Sequence, residues 1–597
     1  MNKVDEKSAA YVKWQNHRGT ADEDKYKGKY TVLRKVVKNM INERQIEYWD
    51  KVSSEIETAV TQHDPATAAV GTHTIDSISI PNISTLEIQR QDKIPTLEEI
   101  QLALSQMKSK KAPGNDGITV DILKAGGTPV LIWLKELFVE MWGNERIPEN
   151  WSSAILIPLF KNKGDKTSCD NYRGICLLNV VSKLFTRVIL NRIQIMIDQQ
   201  LLEQQAGFRS NRSTVDQIFI VNMIMEKASE YDIPLFICFI DIQKAYDSVN
   251  RELLWKICRH YGLTDKIVKL LQLVYKDSNA RVKINGDLSE CFKMDTGVMQ
   301  GGIPSPFLFN IVFDFIMKKV LSETKIAGVQ LSYGKNDFCH GRKEKYENFE
   351  VLSLMYADDL VAICNSREHI ETFIQVFERI TQEYGLTMNV NKTCIMSSVQ
   401  SKNNVNGKTI KNQQAEDVQV DIIIRNQEIE TTQSFTYLGS LISNDHKADK
   451  EIKTRITKAT TAFNSLRQLV WYKKRISILA KLRILRACVL PVLIYASEGW
   501  CLTKVQEDKI SVFYMKCIRT ILGLNLGDHV SNSAILNLSG QPSVENIMRR
   551  NRLRWFGHVN RMEKEIGKPS LTKKSYVFLS LGPSTTEACR NQKKMGI

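Results

Sequence analysis

Metal-ligand spacings are missing from this sequence. Its 12 cysteines include no Cys-x-x-Cys pair, and its 9 histidines include no two separated by three to five residues. A zinc knuckle and a disulfide framework are thereby excluded, and the cysteines read as small buried apolar residues of a reducing compartment. No stretch of about 18 apolar residues runs without a charge. The richest candidate, 484–496, contains Arg486 and Pro491. The N-terminus begins Met-Asn-Lys-Val-Asp-Glu-Lys and has no apolar signal core. A Gly-x4-Gly-Lys-Ser/Thr phosphate loop is also missing, which argues against a P-loop ATPase. These absences predict an intracellular chain, nuclear or cytoplasmic, with no membrane partner.

Positive charge is abundant. Among 597 residues, 82 are Lys or Arg and 66 are Asp or Glu, a net charge of +16 that favours a polyanionic partner. With 43% hydrophobic and 25% charged residues the chain is ordinary globular material. At roughly 150 residues per domain, its length suggests about four domains or one multi-lobed enzyme. Between Ile452 and Leu490 stand ten Lys/Arg and no Asp or Glu.

Periodicity predicts the elements. Residues 25–49 carry a basic helical pattern, and 62–92 read as a linker rich in Thr, Ser, Ala and Pro. A helix begins near Thr96, with Leu97, Ile100, Leu104 and Met107 on one face. Helices are expected over 130–141, 180–197, 214–227 behind Ser213 as N-cap, 250–255 and 368–384. A strand is expected over 154–160. The six-residue apolar run 235–240 predicts a strand buried on both faces. Two further strands, 352–356 and 360–364, flank a tight Ala357-Asp358-Asp359 turn. Within 452–490, Ile476, Leu479, Leu482 and Leu485 repeat at helical spacing.

Two acidic sites stand at strand ends: Asp241, and the Asp358–Asp359 turn. Carboxylates beside apolar strands are costly unless compensated, and a hard divalent cation relieves both desolvation and mutual repulsion. Two such ions can activate a hydroxyl and stabilise a leaving phosphate oxygen. The plainer reading is three ordinary turn aspartates.

The residues around these sites resemble a known family. Phe-Ile-Asp-Ile-Gln-Lys-Ala-Tyr-Asp-Ser-Val (239–249) and Met-Tyr-Ala-Asp-Asp-Leu-Val (355–361) look like the two metal-binding motifs of reverse transcriptases. Gln-Ala-Gly-Phe-Arg-Ser-Asn-Arg-Ser-Thr (205–214) resembles the fingers motif of non-LTR retrotransposon polymerases. The segment 297–310, Gly-Val-Met-Gln-Gly-Gly-Ile-Pro-Ser-Pro-Phe-Leu-Phe-Asn, resembles their template and nucleotide motif, although Gly302-Ile303-Pro304 departs from its common form. Asn391-Lys392-Thr393 and Phe435-Thr-Tyr-Leu-Gly439 resemble the single-lysine motif and the primer grip. Upstream, 111–117 and 171–175 look like the N-terminal extension of the same group. Downstream, 552–559 resembles the C-terminal segment of RTE and Jockey-like elements. The resemblance spans about 95–500.

The resemblance implies residue roles. Asp241, Asp358 and Asp359 would be catalytic and, with the Ile242 carbonyl, would hold two Mg²⁺ ions, Mn²⁺ being an alternative; Asp359 would be the weaker or indirect ligand. Lys392 would give a proton to leaving pyrophosphate; a surface lysine is the plain reading. Arg209 would grip the triphosphate, against a solvated loop arginine. Tyr246 would exclude a ribose 2′-hydroxyl, against a core aromatic. Gln300 and Gly301 would underlie the sugar and templating base, against a plain turn. Phe435, Tyr437, Leu438 and Gly439 would form the primer grip. Lys453, Arg455, Lys458, Lys473, Lys474 and Arg475 would contact nucleic acid, as would Arg552, Arg554 and Trp555, against a solvated basic face and an apolar helix face respectively.

The implied fold is α+β, a right-hand polymerase with a helical N-terminal extension and a basic helical C-terminal region. The divisions would be 1–94, N-terminal basic helix and linker; 95–400, fingers and palm; 401–500, primer grip and thumb; and 501–597, C-terminal region with an irregular tail. The implied activity is RNA-directed DNA polymerisation on an RNA template, with a DNA primer or target and dNTP substrates. A catalytically inactive nucleic-acid-binding remnant is the alternative. The bulky Tyr246 and the upstream motifs argue against an RNA-synthesising enzyme and an intron maturase. The first 90 residues carry no recognisable endonuclease constellation, which suggests a truncated reading frame; Lys473-Lys474-Arg475 hints at nuclear entry.

Overall fold

The computed structural model describes residues 88–566, interrupted at 163, 232, 285, 332–348, 406–407, 417–421 and 446, together with 2–17, 20, 22–34, 80, 571–572 and 575. Most of the basic pattern at 25–49, most of the linker at 62–92 and the irregular tail lie outside these residues.

In chain order the elements used below are α1 (Leu97–Gln106), α2 (Gly127–Asn144), β1 (Ser153–Phe160), β2 (Tyr172–Leu177), α3 (Val180–Asp198), α4 (Thr214–Glu230), β3 (Leu235–Ile240) and α5 (Arg251–His260). There follow β4 (Asn279–Ile284), α6 (Ser305–Thr324), β5 (Ser353–Tyr356), β6 (Asp359–Cys364), α7 (Arg367–Glu383), β7 (Cys394–Val405) and β8 (Lys408–Glu416). Last come β9 (Ser434–Tyr437), β10 (Ser440–Ser443), α8 (Asp449–Ser465), α9 (Lys504–Leu522) and α10 (Val544–Ile566). The architecture is α+β. The chain forms two compact units that interleave in sequence: 1–193 with 262–305, and 194–261 with 306–597.

In the first unit, α1 begins after Thr96, where a helix start is expected, and it opens with a capping box. Thr96 Oγ1 accepts from Glu99 N at 3.3 Å, and Glu99 Oε2 accepts from Thr96 N at 2.9 Å. The Glu99 carboxylate also takes both Nε and Nη2 of Arg192, at 2.9 and 2.6 Å, while the Arg192 guanidinium lies 4.8 Å over the Trp142 ring. Satisfying a buried cation on three sides in this way is what makes its burial tolerable. Ile88–Asp92 is a short helix whose Gln91 is fully buried, so the predicted linker ends earlier than 92. The sheet joins β1 antiparallel to β2 (Phe160↔Tyr172) and parallel to β4 (Ser153↔Asn279).

The second unit is built on a sheet in the order β8-β7-β3-β6-β5. Strand β3 is central and every one of its six residues is buried, as its unbroken apolar run predicts. It runs antiparallel to β6 (Ile240↔Leu360) and to β7 (Phe239↔Cys394). Helix α4, capped by Ser213 and Asp216, packs its Ile218, Val221, Met225 and Ala228 against β3, β6 and β7. Helix α7 contacts β3 and β6 through a buried row that includes Phe373 and Phe377.

Helices α8, α9 and α10 share a separate apolar cluster including Ile452, Phe463, Trp471, Tyr514 and Met548. Between 476 and 490 the buried apolar positions are Leu482, Leu485, Val489 and Leu490, whereas Leu479 is 56% exposed, so the packed face is rotated from the one the spacing suggests. Among the described residues no helix is long and apolar enough to cross a membrane.

Candidate active site

Pairing of β3 with β6 sets the acidic residues. Ile240 faces Leu360, so continuing the antiparallel register by one residue sets Asp241 opposite Asp359, at the edge where β6 turns into β5. Directly opposed residues share a sheet face. Asp241 and Asp358 are half-buried, and Asp359 is exposed.

Asp241 is held by a segment that follows α7. Asn389 Nδ2 donates to Asp241 Oδ2 at 3.0 Å, and Asn389 N to the Asp241 carbonyl at 2.8 Å. Thr393 Oγ1 accepts from Asp241 N at 3.3 Å, and Lys392 Nζ lies 3.5 Å from Asp241 Oδ2. Gln243 N donates to the Thr387 carbonyl at 2.8 Å, so Ile242 and Met388 form a non-hydrogen-bonded pair between two bonds. In such a pair the residue's own C=O points away from its partner. The Ile242 carbonyl therefore points away from Met388. Sequence reasoning did not single out Asn389, and it named Thr393 only as a member of the single-lysine motif 391–393.

The other acidic pair rides on a two-residue hairpin. Tyr356 pairs with Asp359 across the central residues Ala357 and Asp358. Ala357 has φ +59°, in the left-handed region that a first central hairpin position normally fills with glycine. Gln205, fully buried, reaches this turn from the segment before α4. Its Oε1 accepts from Ala357 N at 2.9 Å and from Gly207 N at 2.8 Å, and its Nε2 donates to the Ala357 carbonyl at 3.3 Å. The role of Gln205 was not legible in the sequence.

The predicted primer-grip residues form the β9–β10 hairpin, with Leu438 at φ +47° and Gly439 at +85°. Phe435 stacks on Phe239 of β3, centroids 4.3 Å apart. Tyr437 is buried, and burial together with the nearby Asp359 charge pushes its hydroxyl pKa up. Tyr495 Oη donates to the Leu438 carbonyl at 2.8 Å and lies 3.0 Å from Thr214 Oγ1.

Several assignments are corrected by the geometry. Arg455, expected to contact nucleic acid, is buried. Its Nε donates to Glu451 Oε1 at 2.6 Å, its Nη2 to the Gly439 carbonyl, and its guanidinium covers the Tyr495 ring at 4.6 Å. It secures the hairpin turn. Arg209, expected to grip the triphosphate, has a side chain only 6% exposed with all five N–H donors used inside the chain. They go to Asp198 Oδ1, Oδ2 and O and to the Leu202 and Gln205 carbonyls. No donor is left for a phosphate. Trp555 is likewise structural: Nε1 donates to Asp216 Oδ1 at 2.8 Å and the ring packs on Phe219 at 4.8 Å. Arg552 is half-buried and donates to the Ser497 and Trp500 carbonyls. A side chain directed into the fold cannot also track an external strand.

Other assignments remain at accessible positions. Lys453, Lys458, Lys473, Lys474, Arg475 and Arg554 are exposed. Tyr246 is half-buried with its ring stacked on Phe309 of α6, centroids 4.5 Å apart. Gln300 and Gly301 belong to the first unit. The Gln300 carbonyl accepts from Cys176 N at 2.7 Å, and a Cβ at Gly301 would collide with the Cys176 carbonyl oxygen, so only glycine lies this close to β2. Also in that unit, Lys183 and Arg187 stand one turn apart on α3, and burial pushes both their pKa values down. Neither was anticipated.

Among the described residues no group of three or more His, Cys, Asp or Glu side chains is placed to hold a metal ion. The donors expected from the sequence, the Asp241 and Asp358 carboxylates and the Ile242 carbonyl, are all oxygen. Hard divalent cations prefer such a donor set, and zinc prefers sulfur and nitrogen.

Residues 161–442 match the family described as reverse transcriptase (RNA-dependent DNA polymerase). The "Probable RNA-directed DNA polymerase from transposon BS" of Drosophila melanogaster is 25% identical over 484 residues, 79% of this chain and 49% of that protein. The RNA-directed DNA polymerase from mobile element jockey of Drosophila funebris is 23% identical over 439 residues, 72% of this chain and 44% of that one. The chain thus spans about half the length of the curated relatives it matches. Among solved structures, apo telomerase from Candida tropicalis aligns at 14% identity and TM-score 0.31, over 53% of this chain and 59% of that one, a likeness at which nothing about the fold is decided.

Proposed function

We propose that this chain, which carries a reverse transcriptase domain related to those of non-LTR retrotransposon polymerases, extends a DNA primer by copying an RNA template with dNTP substrates. The observation that carries the reading is the β3–β6 register, which brings Asp241 and the Asp358–Asp359 turn to one edge of one sheet. The right-hand arrangement belongs to the same reading. The β1–β2 hairpin of the first unit would serve as fingers, the sheet of the second as palm and α8 and α9 as thumb, with α1 and α2 in the N-terminal extension.

Asp241 and Asp358 would hold divalent ions, with the Ile242 carbonyl as a further ligand and Asp359 as a weaker one. Bound Mg²⁺ or Mn²⁺ supplies charge neutralisation at the phosphates and a more acidic primer hydroxyl. The chain's own residues do the rest. Asn389 and Thr393 orient Asp241. As the primer 3′-hydroxyl loses its proton to solvent and its oxygen bonds to the α-phosphorus, the α–β bridging P–O bond breaks, and the leaving pyrophosphate takes a proton from Lys392. Tyr246 fills the volume a 2′-hydroxyl would need. The β9–β10 hairpin carries the primer end. The exposed lysines and arginines of 453–475, with Arg554, bind phosphate in a salt-sensitive manner.

The test is primer extension on a primed homopolymeric RNA with Mg²⁺ and the complementary dNTP. Incorporation by wild type that vanishes in Asp358→Asn supports the reading. Equal incorporation by both, or nucleic-acid binding by wild type without incorporation, overturns it.

A further inference from the structure

A buried glutamine 152 residues away in sequence grips the turn that carries Asp358. The segment 204–206 runs as a short parallel partner of β5: Ala206 N donates to the Met355 carbonyl at 2.9 Å and Met355 N to the Gln204 carbonyl at 3.0 Å. This aligns Gln205 so that one side-chain amide makes three bonds, at 2.9, 3.3 and 2.8 Å, to Ala357 N, Ala357 O and Gly207 N. The approach is close enough that a Cβ at Gly207 would collide with the Ala357 nitrogen. The Gly207 carbonyl is in turn fixed by Asn310 Nδ2 at 2.6 Å.

The gripped residue is also the strained one. Ala357 holds φ +59°, where a Cβ is disfavoured. Left to itself, a two-residue hairpin with alanine at this position relaxes toward negative φ, and relaxation would re-aim the next residue. Capping both the N–H and the C=O of Ala357 removes that freedom. The next residue is Asp358.

We propose that Gln205 is a positioning residue for the polymerase reaction, holding Ala357 left-handed so that the Asp358 carboxylate keeps the direction the chemistry needs. Its kinetic part rests on the proposed function; its conformational part does not. The two roles of Gln205, packing and positioning, separate through Ala357. If Gln205 acts by enforcing a positive φ, glycine at 357 makes the enforcement unnecessary.

The experiment compares Gln205→Met, similar in volume but unable to make the three bonds, with Gln205→Met/Ala357→Gly. Gln205→Met should lower kcat of primer extension by about 10- to 100-fold with KM for the primed template within about twofold. The double variant should regain at least about half of the lost activity on a logarithmic scale. Full activity in Gln205→Met, or a loss that glycine at 357 does not repair, overturns the positioning role. Amide hydrogen exchange at single-residue resolution on the wild-type chain needs no active enzyme and no variant that folds. Ala357 N–H should exchange at least about 100-fold more slowly than an open turn amide, and open-turn exchange overturns the proposal. Should wild type itself fail to extend primers, the polymerase reading falls while the hydrogen-exchange result still decides the grip on Ala357.

Discussion

Tyr246 and Phe309 lie face to face, ring centroids 4.5 Å apart with their planes inclined at 24°. The stack joins the loop after β3 to α6, and an aromatic so held cannot swing aside at little cost. If the ring excludes a 2′-hydroxyl, Tyr246→Ala should raise the ribonucleotide-to-deoxyribonucleotide ratio of incorporation by about tenfold or more. Phe309→Leu, which removes the backing ring, should raise it by less. Unchanged discrimination in Tyr246→Ala would return this residue to its plainer identity as a core aromatic.

Charge removal at the sheet edge should act on rate and leave the fold alone. Asp241→Asn and Asp358→Asn should each reduce primer extension by about three orders of magnitude or more. Circular dichroism and thermal unfolding should stay near wild type, because these residues are half-buried at a sheet edge. Asn389→Ala, which strips one donor from Asp241, should cost a smaller factor, about tenfold.

Arg209 and Arg455 are predicted to matter for stability and not for ligand binding. Removing either leaves a carboxylate, Asp198 or Glu451, without its guanidinium. Breaking such a pair costs about 3–5 kcal/mol when both members are buried, as Arg455 and Glu451 are, and less where Asp198 is 34% exposed. Urea unfolding of Arg209→Ala and Arg455→Ala measures this. A raised KM for dNTP in Arg209→Ala with stability unchanged would restore the triphosphate role.

Exposed cations should behave in the opposite way. Replacing Lys473, Lys474 and Arg475 together by Gln should leave urea unfolding nearly unchanged and weaken binding to RNA–DNA duplex. The slope of log K against log salt should shrink by about one for each phosphate that the variant no longer neutralises. An unaltered slope would identify this segment as a merely solvated face.

Asp216 links the start of α4 to Trp555 of α10, and burial pushes its carboxyl above the ordinary 3.8. A carboxyl raised in the folded state contributes stability that is complete below 3.8 and is lost as pH rises through the folded value. Urea unfolding of wild type against Asp216→Asn should therefore show the difference moving in wild type's favour as pH falls from 7 toward 4. A difference independent of pH would contradict it.

Sequence reading succeeded wherever the determinant was local. The run at 235–240 suggested a strand buried on both faces, because six consecutive apolar residues leave no polar face to wet, and β3 is that strand. Ser213 announced α4 as its N-cap because a cap bonds within three residues. Asp241 and Asp358 stood out because each interrupts an apolar strand. Failures fell on residues whose partners are distant. Arg209 and Trp555 looked like nucleic-acid ligands because arginine and tryptophan have that chemistry when exposed. Whether they are exposed was decided by Asp198 and by Asp216, the latter 339 residues from Trp555.

The sequence by itself determined the order of elements, the apolar strands and the identity of the acidic residues at their ends, since these follow from periodicity and from the cost of carboxylates beside a core. Tertiary structure alone decided which basic residues remain available to a polyanion. It also decided that Asn389 and Thr393 brace Asp241 and that Gln205 reaches across to hold Ala357. The physical reason is that a hydrogen bond's reach is about 3 Å in space and is unrelated to separation along the chain.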